Sequence, residues 1–373
     1  MGKDILTAMV PRDIRNHRLV NQQIASAACK QPAEVVASLA AVQAQDYAGA
    51  LWAVGLRLPG ATEADVKQAL ANRTIIRTWM MRGTLHFVAA ADVHWMRELL
   101  APQLISSSAH RCDQLELTAK IFGRSGGACL KALQGGRKLT RGEIYAVLER
   151  SRISTAGQRG AHILWRLAHD GVICFGGHAG KQQTFALLDE WAPKAKKVQR
   201  DQALAELAWR YFRSHGPATL QDFGWWSGLK AADAKAALEM TSLKLARETM
   251  DGKVYWMTQD WEAGKDAPSA VNLLPGFDEY LIGYKDRSAS LDPRHATKIL
   301  PANNGLLLPT VVVSGRVVGT WKRAFKKNAM AITASFFSPP KKGEARAVAE
   351  AAERYGRFLG IEVGSCSLKV ERN

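Results

Sequence analysis

Residues 201–257 carry a pattern that few folds accommodate. DQALAELAWRYFRSHGP has helical spacing, ATLQDFGWWSGL and AADAKAALEM give two further helical stretches, and LKLARETMDGKVYWM reads as two strands joined by Asp251-Gly252. An Asp-Gly pair supplies the positive-φ residues that a two-residue hairpin turn requires. Helices followed by a two-stranded wing suggest a winged-helix unit. The pattern recurs upstream without obvious sequence identity. KLTRGEIYAVLER (138–150) offers a Thr140 cap with Glu143 three residues on, RGAHILWRLAHDG (159–171) follows, and VICFGGHAGKQQTFALL places two strand-like runs around a Gly-rich turn. Residues 17–90 fit a third copy. It has helices at 33–42, entered through Pro32, and at 61–72, where Thr62 and Asp65 form a second capping pair, and a strand near 84–88. Gly83 ends one element, and Ala91-Asp92 opens a helix to about Leu100.

The C-terminal third differs. LLPGFDEYLIGYKDRS, LLPTVVVSGRVVGTWKR and NAMAITASFF carry β-type runs with turns such as Ser314-Gly315; residues 344–358 are helical, and GIEVGSCSLKV is a last strand. The predicted class is α+β. Tandem winged-helix (helix-turn-helix) units occupy 1–130, 131–198 and 199–262, and a β-rich, partly barrel-like domain closed by one helix occupies 263–373.

Charge narrows the function. Fifty-one Lys and Arg against 34 Asp and Glu leave a formal net charge of +17 in 373 residues. Such a surplus predicts a polyanionic partner, nucleic acid before others, with affinity that falls steeply as salt rises. A merely solubilising basic surface is the alternative, and Arg-rich stretches mixed with Trp and His argue against it. No apolar run approaches the roughly 18 residues of a membrane helix. MGKDILTAMVPRDIRNHR has no signal-peptide core, and Leu6 stands where a myristoylation signal wants Ser or Thr. A cytoplasmic, nucleoid-associated monomer is expected. The five scattered cysteines contain no C-x-x-C pair, so neither a zinc site nor a disulfide framework is indicated. P-loop and H-E-x-x-H motifs are absent. The Gly-rich stretches 123–127 and 176–180 read as turns rather than phosphate loops.

One short segment suggests chemistry. After helix 33–42 the chain reads Val42-Gln43-Ala44-Gln45-Asp46-Tyr47. Residues two apart share a face only in an extended strand, so two glutamines serving one site would require the chain to leave helical geometry there. Alone, Gln-x-Gln is an ordinary polar pair at a helix end.

Wider blocks make the segment specific. VQAQDYAGALWAVGLR (42–57), RTWMMRGTLHFVAAADVHWM (77–96), GPATLQDFGWWSGL (216–229), and 273–288 with VVVSGRVVGTWKR (311–323) resemble, in order, the winged-helix DNA glycosylases of the AlkZ and AlkX (YcaQ) kind. The resemblance implies tandem winged helices in a C-shaped arrangement with a barrel-like closing domain. It implies hydrolysis of the N-glycosidic bond of alkylated purines, including cross-linked ones, in double-stranded DNA, with no metal or organic cofactor. The catalytic pair it implies is Gln43 and Gln45, as in the AlkZ type; Ala44 is smaller than the usual middle residue.

Two neutral amides suffice if the leaving base is already cationic. An N7- or N3-alkylated purine departs without protonation, and what remains is to place a water beneath C1′, which a Gln carbonyl can hold. Asp46 is the rival base. No lysine lies near the motif, which favours a monofunctional enzyme over a lyase.

For DNA contacts, Arg77, Arg82 and His86 either line the DNA face or hold the catalytic segment, although Arg82 before Gly83 also suits carbonyls at a helix end. Arg316, Lys322, Arg323, Lys326 and Lys327 have no acid among them, and Lys285, Arg287 and Arg294 fall in a loop-like stretch. The family implies a hairpin that probes the groove, for which 283–300 and 123–138 are the candidates. Trp79, Trp95, Trp165, Trp225 and Trp226 read mainly as core, and His162 and His169 as surface or satisfied buried residues. A non-catalytic winged-helix regulator is the alternative function; a nuclease lacks the clustered acids it would need.

Overall fold

The computed structural model describes residues 10–192, 197–260, 270–301, 305–327 and 329–371. The first nine residues, on which the leader and lipidation readings rest, and the expected boundary at 262–263 lie outside them. The chain falls into two compact units: residues up to Lys67 together with those from Ala205 onward, and Gln68–Leu204.

In Gln68–Leu204 the strands run in the order Leu85–Ala89, Ile75–Trp79, Ile173–Ala179, Gln182–Leu187, Leu139–Thr140, each pair antiparallel. Helices Ala119–Leu133, Arg141–Arg150 and Arg159–His169 bury Phe122, Leu133, Ile144, Leu148, Ile163 and Leu167 with Phe175 and Phe185 of the sheet. Thr140 caps as expected: the Glu143 carboxylate accepts from its N–H at 2.7 Å and from its hydroxyl at 2.8 Å.

Three expectations change in this unit. Residues 75–79 form a strand whose β-branched pair Ile75-Ile76 lies opposite Val88 and Ala89, not a helix. Arg82 (φ 55) and Gly83 (φ 71) make the turn between the two strands. The helix after Asp92 runs past Leu100 to Ser107. Residues 123–127 are helical, because Thr118 caps the element and Phe122, Ser125, Cys129 and Leu133 recur on its buried face. That removes 123–138 as a hairpin. Gly123-Arg124-Ser125-Gly126-Gly127 has the G-x-S-x-G spacing but is no nucleophile elbow, since Ser125 is buried inside the helix and its hydroxyl donates to the Ile121 carbonyl at 2.8 Å.

The other unit contains helices Arg200–His215, Leu220–Ser227 and Ala231–Thr241, then hairpin strands Leu245–Met250 and Lys253–Thr258. Asp251 (φ 49) and Gly252 (φ 71) form its turn, as the sequence predicts. The C-terminal sheet runs Val363–Val370, Met330–Phe336, Arg316–Phe325, Thr310–Val313, Val271–Leu274. It is open: among the described residues nothing pairs its first strand with its last, so no barrel closes. Helices cover it instead. Trp52 of helix Tyr47–Leu56 donates its indole N–H to the Leu273 carbonyl at 2.7 Å, and Arg354 of helix Glu344–Leu359 donates to Asn272 at 2.8 Å. The two helices touch through Gly55, where a Cβ would lie 2.2 Å from the Phe358 ring.

Two further readings fail here. Residues 279–282 form a helical turn rather than a strand, because the Asp278 carboxylate caps it by accepting from the Tyr280 N–H at 2.9 Å. The 283–300 stretch holds a 3₁₀ turn, Pro293–His295, and a short helix, Ala296–Ile299, not a hairpin; Asp292 before Pro293 starts the helical turns.

Candidate active site

The glutamine segment leaves helical geometry. Helix Pro32–Ser38 ends four residues before the expected 42, Ala40 takes a φ of 64, and Val42–Gln43 is extended. Ala40, Ala41, Val42 and Ala44 are buried and sink the segment into the unit. Gln43 is only 6 % exposed, whereas Gln45 is exposed. The Gln43 backbone N–H donates to Glu279 Oε1 at 2.9 Å. Its side-chain carbonyl Oε1 is buried with no hydrogen-bond partner among the described residues. Such an atom costs about 1–3 kcal/mol unless something fills the place.

Beneath the segment lies a polar network that sequence reasoning missed. Asp278 and Glu279 are adjacent and fully buried. Asp278 takes a bidentate pair from Arg57, at 2.8 and 2.9 Å, and Arg57 also donates to the Ala53 and Gln22 carbonyls at 2.8 and 2.9 Å. Glu279 Oε2 accepts from the Trp226 indole at 3.0 Å and lies 3.5 Å from His215 Nε2. Burial, helped by the Arg57 and Arg18 charges, pushes the His215 pKa below the usual histidine value, against the pull of Glu279. Gly283 admits His215: a Cβ there would meet its ring carbon at 2.6 Å. The available signal was the pair Asp278-Glu279 inside the apolar run LLPGFDEYLIG, since carboxylates buried in apolar surroundings need partners.

Asp46, the rival base, is exposed, and its Oδ2 lies 2.7 Å from where a Gly49 Cβ would stand, so it folds back over the first turn of its own helix. Tyr355 links this end of the motif to the basic strand Arg316–Phe325. Its hydroxyl accepts from Arg323, whose guanidinium lies 5.4 Å from the Tyr355 ring centre and 5.7 Å from that of Phe325. Burial pushes the Tyr355 pKa up to about 12; Arg323 pulls it down, while Glu63 and Asp46 raise it.

The remaining cations are dispersed. Arg316, Lys322, Lys326 and Lys327 are exposed, with Phe325 59 % exposed at the end of the strand. Lys285 is exposed, and Arg287 is half-buried and donates to the Leu281 carbonyl at 2.8 Å. Exposed Arg294 pairs with Asp292 at 2.7 Å. In the other unit Arg77 is buried with its guanidinium 4.8 Å from the Phe175 ring centre, Arg82 is half-buried, and His86 is fully buried with Nδ1 3.0 Å from the Thr84 carbonyl. His169 is buried and His162 half-buried; Trp95 and Trp226 are buried, Trp79 and Trp165 half-buried, and Trp225 is exposed.

Residues 36–358 match the family described as DNA glycosylase AlkZ-like. The chain belongs to the AlkZ-like DNA glycosylase family. As an AlkZ-like glycosylase it is an enzyme whose substrate is DNA. It is 29 % identical over 307 residues, 78 % of this chain and 81 % of the relative, to an interstrand DNA cross-link repair glycosylase of Streptomyces sahachiroi. The solved structure of Streptomyces sahachiroi DNA glycosylase AlkZ shares its fold, with a TM-score of 0.81 over 98 % of this chain and 100 % of that one, at 23 % identity. No helix among the described residues is long and apolar enough to cross a membrane.

Proposed function

We propose that this AlkZ-like protein is a monofunctional hydrolase of the N-glycosidic bond of N7- and N3-alkylated purines in double-stranded DNA, including interstrand cross-links, acting as a monomer on nucleoid DNA. The observation that carries the reading is the buried Gln43 carbonyl, unpartnered among the described residues, two positions before an exposed glutamine. Gln45 holds the water under C1′ and Gln43 orients Gln45 or the sugar-phosphate. A cationic base leaves without a general acid, so positioning alone contributes several kcal/mol. Asp46, folded over its own helix, is the weaker candidate for a base.

The helix, helix, helix and hairpin order of 200–258 supports a winged-helix reading of that segment, and the helices and hairpin of 141–187 support a second. DNA contact falls to the exposed cations Lys285, Arg316 and Lys322, with Arg323. Arg77 and His86, being buried, support the strands that carry them. The hairpin formed by Arg316–Phe325 and Met330–Phe336, ending in Phe325, Lys326 and Lys327, takes the place of the groove probe.

The test is strand breakage. Duplex carrying 7-methylguanine or a nitrogen-mustard cross-link, incubated with protein and then alkali, should break at the lesion. The breaks should vanish with the Gln43→Ala/Gln45→Ala double variant. Sequence-specific binding without breaks would overturn the reading in favour of a regulator.

A further inference from the structure

We infer that Glu279 is a positioning residue that sets the orientation of the Gln43–Gln45 segment, an assignment that rests on the proposed catalytic role of those glutamines. Two donors from separate stretches of chain converge on its carboxylate, the Gln43 backbone N–H at 2.9 Å and the Trp226 indole at 3.0 Å, and the buried His215 ring lies beside it with Nε2 3.5 Å away. Its neighbour Asp278 binds Arg57, which caps the end of helix Tyr47–Leu56, the helix that follows the glutamines directly. The motif is therefore held at both ends by one dipeptide. Upstream the grip is on the Gln43 amide, and downstream it acts through Arg57.

The chemistry requires a carboxylate. Both oxygens of Glu279 act as acceptors toward N–H donors that point at it from different directions. A glutamine of the same shape would turn an NH₂ group toward one of them, donor against donor. Two adjacent buried carboxylates are a poor way to gain stability alone, since apolar residues of the same volume often serve as well. Here Glu279 fixes the backbone of a two-residue strand, and that strand carries the buried Gln43 carbonyl.

The test compares Glu279→Gln with Tyr211→Phe, which removes a buried hydrogen bond in the same unit, from the Tyr211 hydroxyl to the Gly283 carbonyl at 2.9 Å. Single-turnover excision of 7-methylguanine, the dissociation constant for the same duplex and the melting temperature are measured for each. Displacement of a positioned group costs on the order of 10- to 100-fold in rate. The expected result for Glu279→Gln is a fall of that size in the excision rate constant with affinity held within about twofold. Tyr211→Phe should lower the melting temperature while keeping its excision rate. If Glu279→Gln does not fold, Trp226→Phe, which frees the carboxylate to turn, is measured in its place with the same expected split.

Wild-type excision rates in Glu279→Gln, or equal rate losses in Tyr211→Phe, would overturn the inference. Gln45→Ala run in parallel separates the two levels. If it loses excision while Glu279→Gln does not, the positioning role fails and the glutamine chemistry stands. No excision by the wild type overturns both.

Discussion

His215 and His169 are the residues whose protonation the fold opposes most visibly. Both are buried, and burial, the largest cause in each case, lowers their pKa from 6.5. In the unfolded chain they bind protons near the ordinary value, so below it the unfolded state holds protons that the native state refuses. Their contribution to stability is complete above about pH 6.5 and is lost as pH falls toward the folded pKa values. Melting temperature should therefore decline from about pH 7 to about pH 5.5, and His215→Gln should flatten part of that slope. A slope unchanged in the variant would show that His215 is not one of the groups responsible. At this scale the sequence was partly legible. Capping pairs such as Thr62 with Asp65 were read correctly because their partners lie three residues apart. Glu279 and Asp278 were missed because their partners Gln43 and Arg57 lie 236 and 221 residues away. Arg77 and His86 look like DNA-facing cations in the sequence, but nothing local records that the sheet buries them.

Among the elements, the hairpin of Arg316–Phe325 and Met330–Phe336 combines an aromatic residue with lysines at its end. Phe325 is 59 % exposed, an arrangement suited to stacking on a base or wedging between base steps. Phe325→Ala should leave the melting temperature nearly unchanged and weaken binding to lesion-bearing duplex by about 1–3 kcal/mol, the range for base–aromatic stacking. Titration of labelled duplex measures it; unchanged affinity would remove the hairpin from the interface. Element type was legible where local chemistry is strong, as at Asp251-Gly252 and Thr140. It failed where tertiary context decides. Ile75-Ile76 became a strand through pairing with Val88 and Ala89, and the glycines of 123–127 were carried into a helix by the apolar stripe around them.

For the whole molecule, the sequence divides naturally into consecutive segments, yet one compact unit joins residues up to Lys67 with those from Ala205 onward. That union brings the glutamine segment, read from residues 42–47, onto Asp278 and Glu279, and no local pattern encodes it. The net charge of +17 accords with a DNA substrate but leaves the lesion open. The proposed mechanism narrows it: two uncharged amides, acting as proposed for Gln43 and Gln45, would serve a base that departs already positive. Single-turnover release from duplexes carrying 7-methylguanine or, at the same position, the uncharged base uracil tests this most directly. The account predicts release of 7-methylguanine alone, at a rate nearly level from about pH 6 to 8 because no catalytic acid titrates, and its loss in Gln45→Ala. Comparable release of uracil, or full activity in Gln45→Ala, would contradict it.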